Sequence, residues 1–125
     1  MSRERPVVLL VEDDPVTADI TAYRLELLGY RVQFASSAEE AWTLVEQEVP
    51  DAVVLEMLMP GMNGFELSTR LKNDERTSGV PIIAFSSEAD LAHVKRAYAA
   101  GARDYVVKPY DPVVLEQKLE RLLAS

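Results

Sequence analysis

Five side chains of this sequence could do chemistry together: Glu12, Asp13, Glu56, Ser86 and Lys108. Three carboxylates brought to one place repel one another and raise each other's pKa unless a cation sits among them. Hard oxygen ligands favour Mg²⁺, which binds through a few carboxylates plus a phosphate oxygen. A lysine and a hydroxyl beside such an ion would supply counter-charge and a hydrogen bond to that phosphate. Metal, ammonium and hydroxyl around one anion form a phosphoryl-transfer constellation, here with Glu56 at its centre. The chain has no cysteine, so thiolate chemistry and a Cys-based zinc site are excluded, and His93 has no second histidine to pair with on a metal. His93 is therefore read as a surface residue, and Trp42 and the methionines as packing and loop residues.

These residues matter only if the fold gathers them, and the apolar runs predict that it does. Val7–Val11 reads as a buried strand ending in Glu12-Asp13-Asp14, with Asp14 as N-cap and Pro15 as the first residue of a helix. Val16, Ile20, Tyr23 and Leu27 recur at helical spacing before Gly29 stops that helix. Arg31–Ala35 is a short second strand. Ser37 and Glu40 form a capping box for a helix that buries Ala38, Ala41, Leu44 and Val45 and ends near Pro50. Ala52–Glu56 is the third strand, followed by the loop Met59-Pro60-Gly61-Met62-Asn63-Gly64 and a helix over Phe65–Lys72 with Leu67 and Leu71 on one face. Pro81–Phe85 is the fourth strand, and Ser86-Ser87 cap a helix carrying Leu91, Val94 and Tyr98 that closes at Gly101. Tyr105–Val107 is the fifth, and Asp111-Pro112 starts a last helix with Leu115, Leu119 and Leu122 as its stripe.

Strands alternating with helices in this way imply one α/β domain over residues 1–125, a doubly wound five-stranded parallel sheet with helices on both faces. In such a sheet the carboxyl ends of the strands share one edge, where ligands bind. Glu12, Asp13, Glu56, Ser86 and Lys108 all stand at those ends.

At these positions the chain resembles the receiver domains of response regulators in two-component signalling. Leu10-Val11-Glu12-Asp13-Asp14 resembles the family's acidic metal-binding pair, and Met59-Pro60-Gly61-Met62-Asn63-Gly64 its loop after the phosphoacceptor. Ser86 falls on the switch hydroxyl, Tyr105 on the switch aromatic, and Lys108-Pro109 on the family's lysine before a cis proline. The resemblance implies the flavodoxin-like (βα)5 receiver fold, Mg²⁺ held by Glu12, Asp13, Glu56 and the Leu58 carbonyl, and no enzymatic turnover. It also implies histidine-kinase or downstream protein partners on the surface of the fourth helix, fifth strand and fifth helix, with His93, Arg96, Tyr105 and Lys118. One position departs: the family's acceptor is Asp, and its slot here holds Glu56. The extra methylene moves the carboxylate roughly 1.5 Å outward, and a misplacement of about 1 Å can slow in-line attack about 10²-fold. Glu56 then reads as a built-in mimic of the phosphorylated acceptor, or a disabled one, reaching Lys108 or Ser86 directly. Mg²⁺ among Glu12, Asp13 and Glu56 is expected to stabilise the fold by mass action, and the effect shrinks should Lys108 already neutralise Glu56.

Thirteen basic against twenty-one acidic residues give a net charge of −8, which argues against nucleic-acid binding. No apolar run approaches the roughly 18 residues of a membrane span, and Met1-Ser2-Arg3-Glu4-Arg5 leads into a strand without a signal-peptide core. The expectation is a cytoplasmic, stand-alone signalling and docking module, a monomer or weak dimer. Two alternatives stand beside it. One is a receiver phosphorylated in the ordinary way, with Asp13 as a substitute acceptor. The other is a flavodoxin-like cofactor-binding protein, against which Glu12-Asp13-Asp14-Pro15 would repel a flavin phosphate. A hydrolytic enzyme would need a nucleophile with a positioned base, and no Asp stands at the end of the third strand.

Overall fold

A computed structural model describes residues 5–88, 90–109 and 111–124; Met1–Glu4 of the sequence reading lie outside them. Its elements are β1 (Val7–Val11), α1 (Pro15–Leu27), β2 (Arg31–Ala35), α2 (Ala38–Gln47), β3 (Ala52–Glu56), α3 (Gly64–Asn73), β4 (Ile82–Ser86), α4 (Leu91–Ala99), β5 (Asp104–Val107) and α5 (Pro112–Ala124). The strands form one parallel sheet in the order β2-β1-β3-β4-β5. β1, β3 and β4 are buried along their whole length, because helices cover both faces of the sheet.

Alternate residues of each strand feed two cores. Val8, Leu10, Val54, Ile83, Phe85 and Val106 pack with Ala18 and Leu25 of α1 and with Leu115 and Leu119 of α5. On the other face Leu9, Val11, Val53, Leu55, Ile82 and Ala84 meet α2, α3 and Ala97 of α4. No helix of the described residues is long and apolar enough to cross a membrane.

Two helices differ from the sequence reading. In α1 the stripe Val16, Ile20, Tyr23 and Leu27 is not the core face: these residues are 55–68 % exposed, and Ala18, Thr21 and Leu25 are buried instead. At 100° per residue the two sets lie about half a turn apart, on opposite sides of the helix. α1 is apolar on both sides, so periodicity alone allows two answers. The small residues Ala18 and Thr21 let the helix approach the sheet, while an Arg24–Glu116 ion pair of 2.7 Å ties its flank to α5. In α4, Leu91 and Tyr98 are exposed and only Ala97 is buried. Its N-cap is Asp90, whose carboxylate accepts from the His93 N–H at 2.9 Å, rather than Ser86 or Ser87. β4 extends through Ser86, which leaves that residue no capping role.

The two sides of α1 should separate in urea unfolding: Leu25→Ala is expected to lose about 2–5 kcal/mol, and Leu27→Ser to stay within about 0.5 kcal/mol of the parent. Equal losses would contradict the orientation of α1.

Candidate functional site

The sheet register places the acidic residues before any side-chain contact is considered. Val11 pairs with Leu55, and Leu55 with Ala84. The next row therefore sets Glu12 level with Glu56 on the adjacent strand, and the Glu12 N–H extends the ladder to the Ala35 carbonyl at 3.0 Å. The chain passes from β1 to β2 on one side and to β3 on the other, so these two acids flank the crevice where the winding reverses. Glu12 continues the parity of Leu10, and Glu56 that of Val54, so both belong to the α1–α5 side of the sheet.

Lys108 has the parity of Val106, the same side. Its backbone N–H bonds the Ser86 carbonyl at 2.8 Å, and the following Lys108–Pro109 peptide is cis. From the end of β5 its side chain crosses β4 with the ammonium 5.0 Å from the centre of the Phe85 ring. The ammonium then donates to Glu12 Oε1 at 2.7 Å and to Glu56 Oε1 at 2.5 Å. Both carboxylates are buried, Glu12 completely. Their remaining oxygens are also used: Glu12 Oε2 accepts from the Asp14 N–H at 3.1 Å, and Glu56 Oε2 from the Leu58 N–H at 3.0 Å. Burial pushes the Glu12 carboxyl above its ordinary value, against the opposing bonds from Lys108 and the Asp14 N–H. Burial pulls Lys108 down, but its bonds to Glu12 and Glu56 outweigh this and leave the ammonium above its ordinary value.

The remaining sequence candidates are not drawn into this triad. Asp13 is exposed. Ser86 is fully buried, but it has the opposite parity, on the side of Ala84 and Ile82. Its hydroxyl accepts from the Glu88 N–H at 3.1 Å and makes no hydrogen bond to Glu56 among the described residues. Tyr105 shares that side. Its phenol donates to the Glu88 carbonyl at 2.6 Å and is pushed up by burial, against a hydrogen bond from Ser86. Leu58 meets Glu56 through its N–H.

The pocket does not close around a divalent ion as it stands. Glu12, Asp13 and Glu56 do not present one oxygen each within 4.8 Å of one another. The two buried acids already share one ammonium, which offsets one of their two negative charges from within the chain. The described set that does meet that spacing, Glu88, Asp90 and His93, is surface-exposed apart from the half-buried His93, and its Asp90 and His93 are already bonded to each other.

Sequence reasoning missed the ties that hold the loop after β3. Glu39 of α2 accepts from the Met62 N–H at 2.9 Å, which keeps its carboxyl below the ordinary range. Gly61 stands beside it at φ 78°, a left-handed conformation in which a Cβ would lie 3.1 Å from the Glu39 carboxylate. Gly64 starts α3 against the end of β3, where a Cβ would sit 2.5 Å from the Glu56 carbonyl oxygen. A glycine inside a loop bounded by capping residues was the available signal.

Against known proteins, the family model described as Response regulator receiver domain matches residues 8–120. The DNA-binding dual master transcriptional regulator RpaA of Synechocystis is 33 % identical over 119 residues, covering 95 % of this chain and 48 % of that protein. The chain spans about half the length of the first curated relatives it matches, at 48, 44 and 51 %. Chemotaxis protein CheY4 of Vibrio cholerae superposes with a TM-score of 0.90 at 26 % identity, covering 94 % of this chain and 98 % of that one. The receiver domain of sensor histidine kinase PA1611 from Pseudomonas aeruginosa superposes with a TM-score of 0.90 at 30 % identity, covering 97 and 99 % of the two chains. That domain holds a magnesium ion in its active-site cleft.

Removing the shared cation should expose the cost of two buried acids. Lys108→Met is expected to lose about 3–5 kcal/mol in urea unfolding at about pH 7.5. Without the ammonium the folded-state pKa of Glu12 rises further above its unfolded value, so the folded state binds protons more readily. Stability of the variant should therefore recover as pH falls towards about 5, and a pH-independent loss would contradict the triad.

Proposed function

This chain belongs to the response regulator receiver domain family, and from that premise we propose that Glu56 permanently occupies the phosphoacceptor position and biases the domain without phosphorylation. Receiver domains are signalling modules of two-component systems that work with histidine kinases and effector domains. The observation that carries the reading is the engagement of both Glu56 oxygens, one by Lys108 and one by the Leu58 N–H. A carboxylate held in this way has a charged donor where an incoming phosphoryl group would need one. It also lacks the closed metal-ligand set that would neutralise that group.

In this reading Lys108 is the carboxylate's partner in place of a phosphate's, and no metal step is assigned to Glu12, Asp13 or the Leu58 carbonyl. A hydrogen bond to a charged group is worth about 1.5–3 kcal/mol, enough to shift a two-state equilibrium by about one to two decades. Ser86 acts as the switch hydroxyl and Tyr105 as the switch aromatic, coupled through Glu88, which both of them touch. The partner face on α4, β5 and α5 is built around Tyr98, Asp104 and Lys118, where Lys118 pairs with Asp104 at 2.8 Å. His93 and Arg96 contribute less to it, because both lie against Phe65 of α3. The module works in the cytoplasm, through protein partners and without turnover of its own, and its net charge of −8 speaks against nucleic acid.

Intact-mass measurement after incubation with acetyl phosphate and Mg²⁺ tests this. The parent chain is expected to gain no phosphoryl group, and Glu56→Asp to gain one. Stoichiometric phosphate on Glu56 or Asp13 of the parent would overturn the reading. Millimolar Mg²⁺ should also leave the melting temperature of the parent nearly unchanged; a clear rise would show that Lys108 yields to the ion.

A further inference from the structure

Away from the carboxylate pocket, a cleft of about 500 Å³ opens between α3 and α4. It is lined by Phe65, Glu66, Thr69, Arg70, Arg96 and the Ala99–Ala100 end of α4. Each helix contributes one arginine, and each arginine is backed by an aromatic ring. The guanidinium carbon of Arg96 lies 4.0 Å from the centre of the Phe65 ring, and that of Arg70 lies 4.1 Å from the Trp42 ring. Among the described residues neither guanidinium has an ion pair or hydrogen bond, whereas Arg24, Arg31 and Arg76 each hold a carboxylate. The only acid in the lining, Glu66, forms no ion pair with either of them.

Both arginines therefore keep their charge unpaired by any carboxylate of the described residues, in a chain of net charge −8. A guanidinium held at this distance over a ring is ordered before any ligand arrives, and N–H groups without a protein partner can make bidentate contact with an oxyanion. Its outer face can stack on a second planar group. The cleft volume falls within the range of about 300–1,000 Å³ common for small-molecule sites.

We propose that the α3–α4 cleft binds a small organic phosphate carrying a planar ring, a nucleotide by chemical class. Arg70 forks onto the phosphate, and Arg96, supported by Phe65, stacks against the ring. Thr69 offers a hydroxyl between them. The site is independent of the state of Glu56.

Titration with ADP, with inorganic phosphate as comparison, tests the proposal in low-salt buffer. Trp42 is the only tryptophan of the chain and lies under Arg70, so its fluorescence reports on the cleft. ADP is expected to give a saturable change at concentrations about tenfold or more below those needed for phosphate. By calorimetry, Arg70→Gln and Arg96→Gln should each weaken ADP binding about tenfold or more, while Arg31→Gln, which removes a guanidinium already paired with Glu48, should not. Absence of saturation, equal affinity for ADP and phosphate, or ADP binding that survives both cleft substitutions would overturn it.

Discussion

One ammonium between two buried carboxylates sets the shape of this protein's functional edge. Lys108 reaches from β5 across β4 to acids on β3 and β1, and so ties together four neighbouring strands. Two negative charges share one positive charge in a place with little water, so the contact survives only because every carboxylate oxygen has a donor. The N–H groups of Asp14 and Leu58 supply the two that the ammonium does not. Taking away any one donor would leave a charged oxygen unmet in the interior, which is why neither neighbouring loop is free to wander.

Sheet parity divides the edge into two compartments that sequence reading merged into one. The strand ends do converge, and Glu12, Glu56 and Lys108 were legible from position alone. Ser86 stands one residue past Phe85, however, and a strand reverses its side at every residue. That single step sends its hydroxyl to the side of Tyr105 and Glu88, away from Glu56. The phenol of Tyr105 holds the Glu88 carbonyl just past the end of β4.

The strands, their order of appearance and most helix starts follow from apolar runs, Asp14-Pro15, Ser37 and Asp111-Pro112. Ser37 accepts from the Glu40 N–H as the capping box requires, although the Glu40 carboxylate returns to Ser36 rather than to Ser37. The faces of α1 and α4 did not follow. Large apolar residues dominate a periodicity count, but here the sheet takes the small ones, Ala18, Thr21 and Ala97, because they permit close approach. Arg96 was likewise read as part of the face shared with β5, since no sequence pattern marks a cation that chooses a ring on a neighbouring helix. Size and stacking are settled by three-dimensional fit, and a one-dimensional pattern carries neither.

The loop between β3 and α3 is secured at four places: Leu58 to Glu56, Gly64 to Met57, Met62 to Glu39, and Glu66 to Asn63. Only the first of these belongs to the pocket. The evolutionary freedom of the site is therefore narrower than its lining suggests. A change at Glu39, on α2, would remove one tie from the far end of the loop, and any side chain at position 64 would press on the strand that carries Glu56. Drift in the chemistry of this edge has to pass through residues that look, in sequence, like ordinary surface and spacer positions.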